Sequence, residues 1–186
     1  MATADTPTPE RDYATRLLVD AVAFAAYKHR RQRRKDLEAS PYINHPIALA
    51  RVLSVEGGLS DPALLAAAVL HDTLEDTETT YEELKERFGA PVAAVVLEVT
   101  DDKTLPKKER KRLQVQHAAR ISRRARLVKL ADKICNVRDV AASPPQSWPL
   151  RRRRQYFDWA KAVVNRMRGT HRKLERLFDE AYSRRP

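Results

Sequence analysis

The chain of 186 residues carries a formal net charge of +11, and 42% of its residues are hydrophobic. This length suits one domain with a full core, and a content of only 4 glycines favours an all-α fold over a turn-rich sheet protein. A single cysteine, Cys135, excludes an internal disulfide framework and agrees with a reducing cytoplasm, the location we expect. No apolar run approaches the roughly 20 residues that span a bilayer, so we expect no membrane association.

The polar segment 1–10 lacks the charged-then-apolar layout of a secretory signal. We expect a disordered lead-in there and a single domain over 11–186. Apolar residues with helical spacing predict a helix over 13–31, and the stretch 32–43 loses that periodicity and is predicted to be a loop. Pro46 is well placed to begin the next helix, which leaves His45 at the helix mouth with its imidazole free to point towards a neighbour.

A nearly all-apolar run over 61–70 predicts a buried helix that is capped by Ser60 or Asp61. Four ionisable side chains follow it within six positions: His71, Asp72, Glu75 and Asp76. We expect the helix to continue through these residues and to end with them, so that His71 stacks on Glu75 and Asp72 on Asp76 at spacing i, i+4. Charges at the end of a buried helix are paired, bound to a metal or solvated, and this stretch alone favours neither a metal site nor a solvated helix end.

Helical patterns also cover most of the remaining chain, and the complete pattern predicts a compact all-α fold of eight to ten helices. The helix over 126–140 places Asp132 beside an apolar stripe, between Lys129 and Lys133, where it either pairs with a lysine or binds a metal. The other predicted helices are a short one capped by Thr79 or Thr80 and those over 92–99, 109–120, 150–168 and 170–182.

Three of these helices together offer two imidazoles and two carboxylates, from His45, His71, Asp72 and Asp132. Two nitrogen and two oxygen ligands hold a divalent cation and leave coordination positions open for a substrate. This mixture suits Mn²⁺, Fe²⁺ or Zn²⁺ better than a closed thiolate site would.

The order H…HD…D resembles that of the HD-domain metal-dependent phosphohydrolases. Further motifs resemble the hydrolase half of the RelA/SpoT proteins, and in particular the small stand-alone alarmone hydrolases, the metazoan SpoT homologues. These motifs are RRKD (33–36), PYINHP (41–46), HDTLEDT (71–77), TDDK (100–103) and KLADK (129–133). The segments 106–107 and 109–114 strengthen the match to the stand-alone class, and the resemblance covers about 23–177.

The resemblance implies an HD-type helical fold, one Mn²⁺ ion per chain and a place in the stringent response. It also implies hydrolysis of the alarmones ppGpp and pppGpp to GDP or GTP and pyrophosphate. The implied metal ligands are His45, His71, Asp72 and Asp132, and the implied water-activating pair is Glu75 and Asp76. Their spacing does not decide which of the two is the base.

The resemblance further implies contacts with the nucleotide from six side chains: Arg34, Lys35, Asn136, Lys107, Arg152 and Tyr156. Arg34 has the planar guanidinium that stacks on a guanine base. Cationic residues around a polyanionic nucleotide would also explain the high net charge. Cys135 stands where relatives often carry a bulkier residue, which leaves base selectivity open.

Two other interpretations remain. The same site would serve a phosphatase for another nucleotide, for example one that removes the 2′-phosphate of NADPH, and the product, orthophosphate or pyrophosphate, distinguishes the two enzymes. A basic helical module that binds nucleic acid would explain the charge, but it would leave the acidic cluster at 71–76 without a role, so we expect no nucleic-acid partner.

Overall fold

A computed structural model describes residues 8–186, and within them it contains α-helices, one π-helical turn and a single isolated β-bridge between Arg33 and Pro41. The all-α prediction is therefore confirmed. No helix in this part of the chain combines the length and the apolar character that crossing a membrane requires. The helices are α1 (Pro9–Lys28), α2 (Asn44–Arg51), α3 (Pro62–Leu70), α4 (Thr73–Asp76), α5 (Tyr81–Phe88), α6 (Ala90–Val99), α7 (Lys107–His117), α8 (Arg123–Ala142), α9 (Leu150–Asn165) and α10 (Arg172–Tyr182).

Helices α3 and α8 form the centre of the core. α3 packs against α1, α2, α6 and α8, and all its residues from Leu64 to Leu70 are buried. α8 packs against α2, α3, α6, α9 and α10. Because neighbours surround both helices on several sides, apolar residues cover nearly the whole of α3 instead of a single stripe.

Several helix starts differ from the predictions, and those of α6, α8 and α10 differ by two or three residues. α1 begins at Pro9 and so includes the last two residues of the predicted lead-in, whereas residues 1–7 lie outside the described part of the chain. α2 begins at Asn44, so His45 lies in its first turn instead of just outside it. Pro46 fits in this turn because the first N–H groups of a helix need no acceptor within the helix. The helix starts early because His45 N–H donates to the carbonyl of Tyr42 (3.0 Å) and so forms a turn before Pro46. α7 begins at Lys107, two residues before the predicted start.

The predicted continuous helix through His71 and Asp76 is wrong. α3 ends at Leu70, His71 and Asp72 form a turn, and α4 starts at Thr73. The Thr73 hydroxyl donates to the carbonyl of Leu70 (2.7 Å), which gives this last carbonyl of α3 a partner. Asp76 N–H still donates to the carbonyl of Asp72 (2.9 Å), so the two acidic residues remain one turn apart.

Two predicted helix caps are present. The carboxylate of Asp61 accepts from the N–H groups of Ala63 (3.0 Å) and Leu64 at the start of α3. The hydroxyl of Thr80 accepts from Glu83 N–H (3.1 Å) at the start of α5. These caps give acceptors to backbone N–H groups at the N-terminal ends of α3 and α5.

Candidate metal and nucleotide site

Ligand atoms of His45, His71 and Asp72 lie within 4.8 Å of one another. The three side chains come from the first turn of α2 and from the turn that follows α3. Asp132 of α8 joins them, because its Oδ1 lies 3.2 Å from Nε2 of His45. The structure therefore brings together all four side chains that were predicted as metal ligands.

The orientation of His71 tests whether a cation fits here. His71 Nδ1–H donates to the carbonyl of Ala68 (2.9 Å), an acceptor that is free because α3 ends two residues later. Nε2 then carries the lone pair and faces Oδ2 of Asp72 at 2.9 Å, and it has no hydrogen-bond partner. Burial would lower the pKa of His71, but the carboxylates of Asp72 and Asp132 raise it, so a positive charge, from a proton or from a cation, is favoured at this nitrogen. A buried imidazole nitrogen without a partner beside two carboxylates fits a divalent cation.

Asp132 has several partners around its carboxylate. Oδ2 lies 2.8 Å from Nζ of the buried Lys133, and Oδ1 accepts from the Asn136 side-chain amide. Burial alone would raise the pKa of Asp132, but Lys133 and His45 hold it well below its usual range. The lysine pairing that the sequence left open is thus present together with the contact to His45, and the carboxylate is ionised at neutral pH.

Tyr42 supports the metal ligand Asp72, a contact that the sequence analysis did not predict. Its hydroxyl donates to Oδ2 of Asp72, and its ring packs against His29 and His45 with centroid distances of 4.9 and 6.0 Å. Burial is the main cause that raises the pKa of Tyr42 far above its ordinary value, so the hydroxyl stays protonated and remains a donor. The motif PYINHP contained the only sequence signal for this role.

Glu75 and Asp76 have different surroundings. The Glu75 carboxylate accepts from Asp101 N–H (3.1 Å) and lies 3.4 Å from the guanidinium of Arg110. Burial, together with the nearby Asp101 carboxylate, raises the pKa of Glu75. Asp76 instead forms an ion pair with Lys103. The surroundings of Glu75 therefore favour proton uptake by its carboxylate.

A cavity of about 920 Å³ opens beside these carboxylates, and a second cavity of about 640 Å³ adjoins it. The residues that line both cavities are Arg34, Tyr42, His45, Asp76, Asn136, Trp148 and Tyr156. Each volume is within the usual range for a small-molecule site. The larger cavity contains the ligands His45, Asp72 and Asp132 in its wall, and the smaller one extends under the loop after α1.

The six predicted nucleotide-binding residues all lie in the walls of these two cavities. Lys35 lines the smaller cavity, and Arg34 and Asn136 line both. Arg34 forms an ion pair with Asp139 and lies 5.8 Å from the centroid of the Tyr42 ring. Lys107, Arg152 and Tyr156 line the larger cavity.

The wall of the larger cavity also contains Trp148 and Trp159, which the sequence analysis did not assign to the site. They lie on either side of the predicted Tyr156 and form with it a row of rings whose neighbouring centroids are 5.5 and 5.4 Å apart. The guanidinium of Arg152 lies 4.4 Å from the centroid of Trp148, and Nζ of Lys111 lies 4.5 Å from that of Trp159. The sequence run Arg151 to Arg154 did not indicate this arrangement of cations over rings, because the arrangement is complete only when α7 packs against α9.

Comparison with known proteins shows the family to which the chain belongs. Residues 21–157 match the family model described as HD domain. The chain is 55% identical over 166 residues to the Xenopus tropicalis protein named guanosine-3′,5′-bis(diphosphate) 3′-pyrophosphohydrolase MESH1, covering 89% of this chain and 93% of the relative. It is 54% identical over 168 residues to the Homo sapiens protein of the same name, covering 90% and 94%.

A solved structure gives the same result for the fold. It is described as a metazoan ortholog of SpoT that hydrolyzes ppGpp, and it superposes with a TM-score of 0.89 at 46% identity over 98% of both chains. A Listeria monocytogenes structure, lmo0812, matches with a TM-score of 0.59 at 26% identity over 75% of this chain and 99% of that one. The chain belongs to the HD-domain family and, within it, to the family of the MESH1 proteins.

Proposed function

We propose that this protein is a Mn²⁺-dependent 3′-pyrophosphohydrolase of ppGpp and pppGpp, formed by one HD-type domain over 11–186. The observation that carries this proposal is the buried Nε2 of His71, which has no hydrogen-bond partner and lies beside three side chains that line a nucleotide-sized cavity: His45, Asp72 and Asp132. The names of relatives that are more than half identical over nearly their whole length support the substrate.

In the proposed reaction, a water oxygen bonds to the phosphorus that is attached to O3′ of the nucleotide. The P–O3′ bond breaks, its electron pair stays on O3′, and a proton reaches that oxygen. The products are GDP or GTP and pyrophosphate. A divalent cation held by His45, His71, Asp72 and Asp132 would supply Lewis-acid polarisation of the phosphoryl oxygens, and the mixed nitrogen and oxygen ligand set suits Mn²⁺.

Glu75 is the proposed general base that takes the proton from the attacking water. Its raised pKa moves it towards the working pH, which favours proton acceptance and later release. Asp101 N–H and Arg110 hold its two oxygens, so the carboxylate has a fixed direction. Asp76, paired with Lys103, is proposed to orient the same water.

The remaining predicted residues are proposed to hold the nucleotide. Arg34 and Lys35 lie on the loop that borders the smaller cavity, a position that suits contact with the base. Asn136 lies between the two cavities and beside Asp132, which suits contact with the ribose. Lys107, Arg152 and Tyr156 provide charge and a ring surface in the larger cavity.

A second candidate is removal of the 2′-phosphate of NADPH. The observation that favours it is the pair of cavities that share His45, because a dinucleotide has a nucleoside for each of them. The cations lie in cavity walls, which suits a small polyanionic ligand better than a nucleic acid.

The proposed location is the cytoplasm, with which the buried free thiol of Cys135 is compatible.

The test is an assay of metal-free protein with ppGpp, with and without added Mn²⁺, in which nucleotide and phosphate products are separated. Asp72→Ala removes a proposed ligand, and Asp158→Ala is the matched control because Asp158 pairs with Arg185 outside both cavities. We expect GDP and pyrophosphate only with Mn²⁺, loss of turnover in Asp72→Ala and full turnover in Asp158→Ala. Orthophosphate from NADPH without turnover of ppGpp would support the second candidate, and turnover by Asp72→Ala would refute the metal site.

A further inference from the structure

Five cations in the wall of the larger cavity have no acidic partner: Lys107, Lys108, Lys111, Arg151 and Arg152. No carboxylate of residues 8–186 lies within 4.0 Å of their charged nitrogens. The other cations of this wall are engaged, since Arg34, Arg110 and Lys133 each pair with an acidic side chain. The unpaired group therefore has charge available for an anionic ligand.

Lys111 differs from the other four because it is half-buried, whereas they are exposed. Its Nζ lies 4.5 Å from the centroid of Trp159 and 5.5 Å from that of Tyr156. The indole N–H of Trp159 donates to the backbone carbonyl of Lys111 (3.0 Å), so the same residue holds both the backbone and the ammonium group. This fixed position lowers the entropy that the side chain loses when it binds a ligand.

The surroundings of Lys111 also disfavour its charge until an anion arrives. Burial is the main cause that lowers its pKa to about 8, and the positive charges of Lys107, Lys133 and Arg152 add to it. These groups, with the hydroxyl of Tyr156, are the titratable and charged side chains that face Lys111 from α7, α8 and α9. Because the pKa is about 8, roughly half of the ammonium groups are deprotonated at pH 8, and a phosphate bound among these cations would restore the proton, so binding at that pH is coupled to proton uptake.

We propose that Lys111 binds the terminal phosphate of the 5′ arm of the nucleotide. The inference rests on the proposed function, in which the 3′ arm occupies the metal site. A substrate with two diphosphate arms then needs cations elsewhere in the same cavity, and Lys111 is the unpaired cation whose position is fixed. Nζ of Lys111 and Nζ of Lys133 each lie 4.5 Å from the centroid of Trp159. Because Lys133 pairs with the metal-ligand candidate Asp132, the proposed phosphate subsite lies next to the proposed metal site.

The test compares the affinity for ppGpp with that for the analogue that carries one 5′ phosphate, guanosine 5′-monophosphate 3′-diphosphate. Calorimetric titrations at about pH 8, in two buffers of different ionisation enthalpy, give the dissociation constants and the protons taken up. The full-length protein carries Glu75→Gln and Asp76→Asn and is loaded with Mn²⁺, so that binding is measured without turnover. Lys111→Met is compared with Lys161→Met, because Lys161 also lies over an aromatic ring, at 4.5 Å from Tyr182, but outside both cavities.

We expect the background protein to prefer ppGpp by about tenfold, as for one charged hydrogen bond, and to take up about half a proton on binding it. Lys111→Met should lose both the preference and the proton uptake, and Lys161→Met should keep both. Lys111→Arg should keep the preference without proton uptake, because arginine is always charged. An unchanged preference in Lys111→Met would overturn the subsite. Since these readouts do not need turnover, they are independent of the hydrolysis assay that tests the proposed function.

Discussion

Removing the hydroxyl of Tyr42 should weaken metal binding without disturbing the fold. Tyr42→Phe deletes the hydrogen bond to Asp72 but keeps the ring contacts with His29 and His45. Loss of a partner of a metal ligand typically costs about 10- to 100-fold in metal affinity or activity, which corresponds to about 1.4 to 2.7 kcal/mol. The free energy of unfolding of the metal-free protein should fall by about 1 to 2 kcal/mol, because a hydrogen bond to a charged group is lost.

The assay measures ppGpp hydrolysis as a function of free Mn²⁺ for the wild type and for Tyr42→Phe. The midpoint of activation should move to about 10- to 100-fold higher Mn²⁺ in the variant, with activity recovered at saturation. Tyr27→Phe is the control, since the Tyr27 ring is 62% exposed and lies under Arg30, away from the cavities. A Tyr42→Phe curve that coincides with that of the wild type would refute the role assigned to this hydroxyl.

Four further substitutions test the base, the caps and the core. Burial raises the pKa of Glu75, so its ionised form destabilises the folded protein once the pH exceeds the pKa of this group in the unfolded chain. Glu75→Gln should therefore abolish turnover and yet raise the free energy of unfolding of the metal-free protein at neutral pH. Denaturant titrations should show that this gain in stability vanishes as the pH falls below about 4. Thr80→Ala should lower the free energy of unfolding by about 1 kcal/mol by loss of the α5 cap, measured by urea titration with ppGpp turnover unchanged. Leu130→Ala, at a fully buried position of α8, should cost about 2 to 5 kcal/mol in the same titration. Gly57→Ala should lower the melting temperature, at a cost of about 1 to 3 kcal/mol, because a Cβ there would lie 2.5 Å from the carbonyl oxygen of Leu53.

The helices were predictable because burial imposes a periodic pattern on the sequence. Leu127, Leu130 and Ile134 recur with helical spacing on α8 and are at most 2% exposed. The break after Leu70 was not predictable in this way, since Thr73 and Ala68 stabilise it through local hydrogen bonds to which hydrophobic spacing is insensitive.

The candidate site was likewise only partly predictable from the sequence. The motifs indicated the four metal-ligand candidates and the acidic pair, and the structure brings them together. The side chains that support them come from distant positions: Tyr42 reaches Asp72 across 30 residues, and Arg110 reaches Glu75 across 35. Such contacts depend on how helices pack, and no local pattern in the sequence encodes them.

Helix α7 has none of its residues buried, although it supplies Lys107, Lys108 and Lys111 to the cavity. Substitutions on this helix therefore change the charge offered to a ligand at little cost in stability, whereas α8 carries the ligand Asp132 and a large part of the core in the same few turns. Selection acting on such a chain would be free to vary substrate preference through α7 while the chemistry stays constant. A library restricted to the cavity-facing lysines of α7, with Arg110 kept because it holds the proposed base Glu75, is accordingly the place to look for altered nucleotide preference in a folded enzyme.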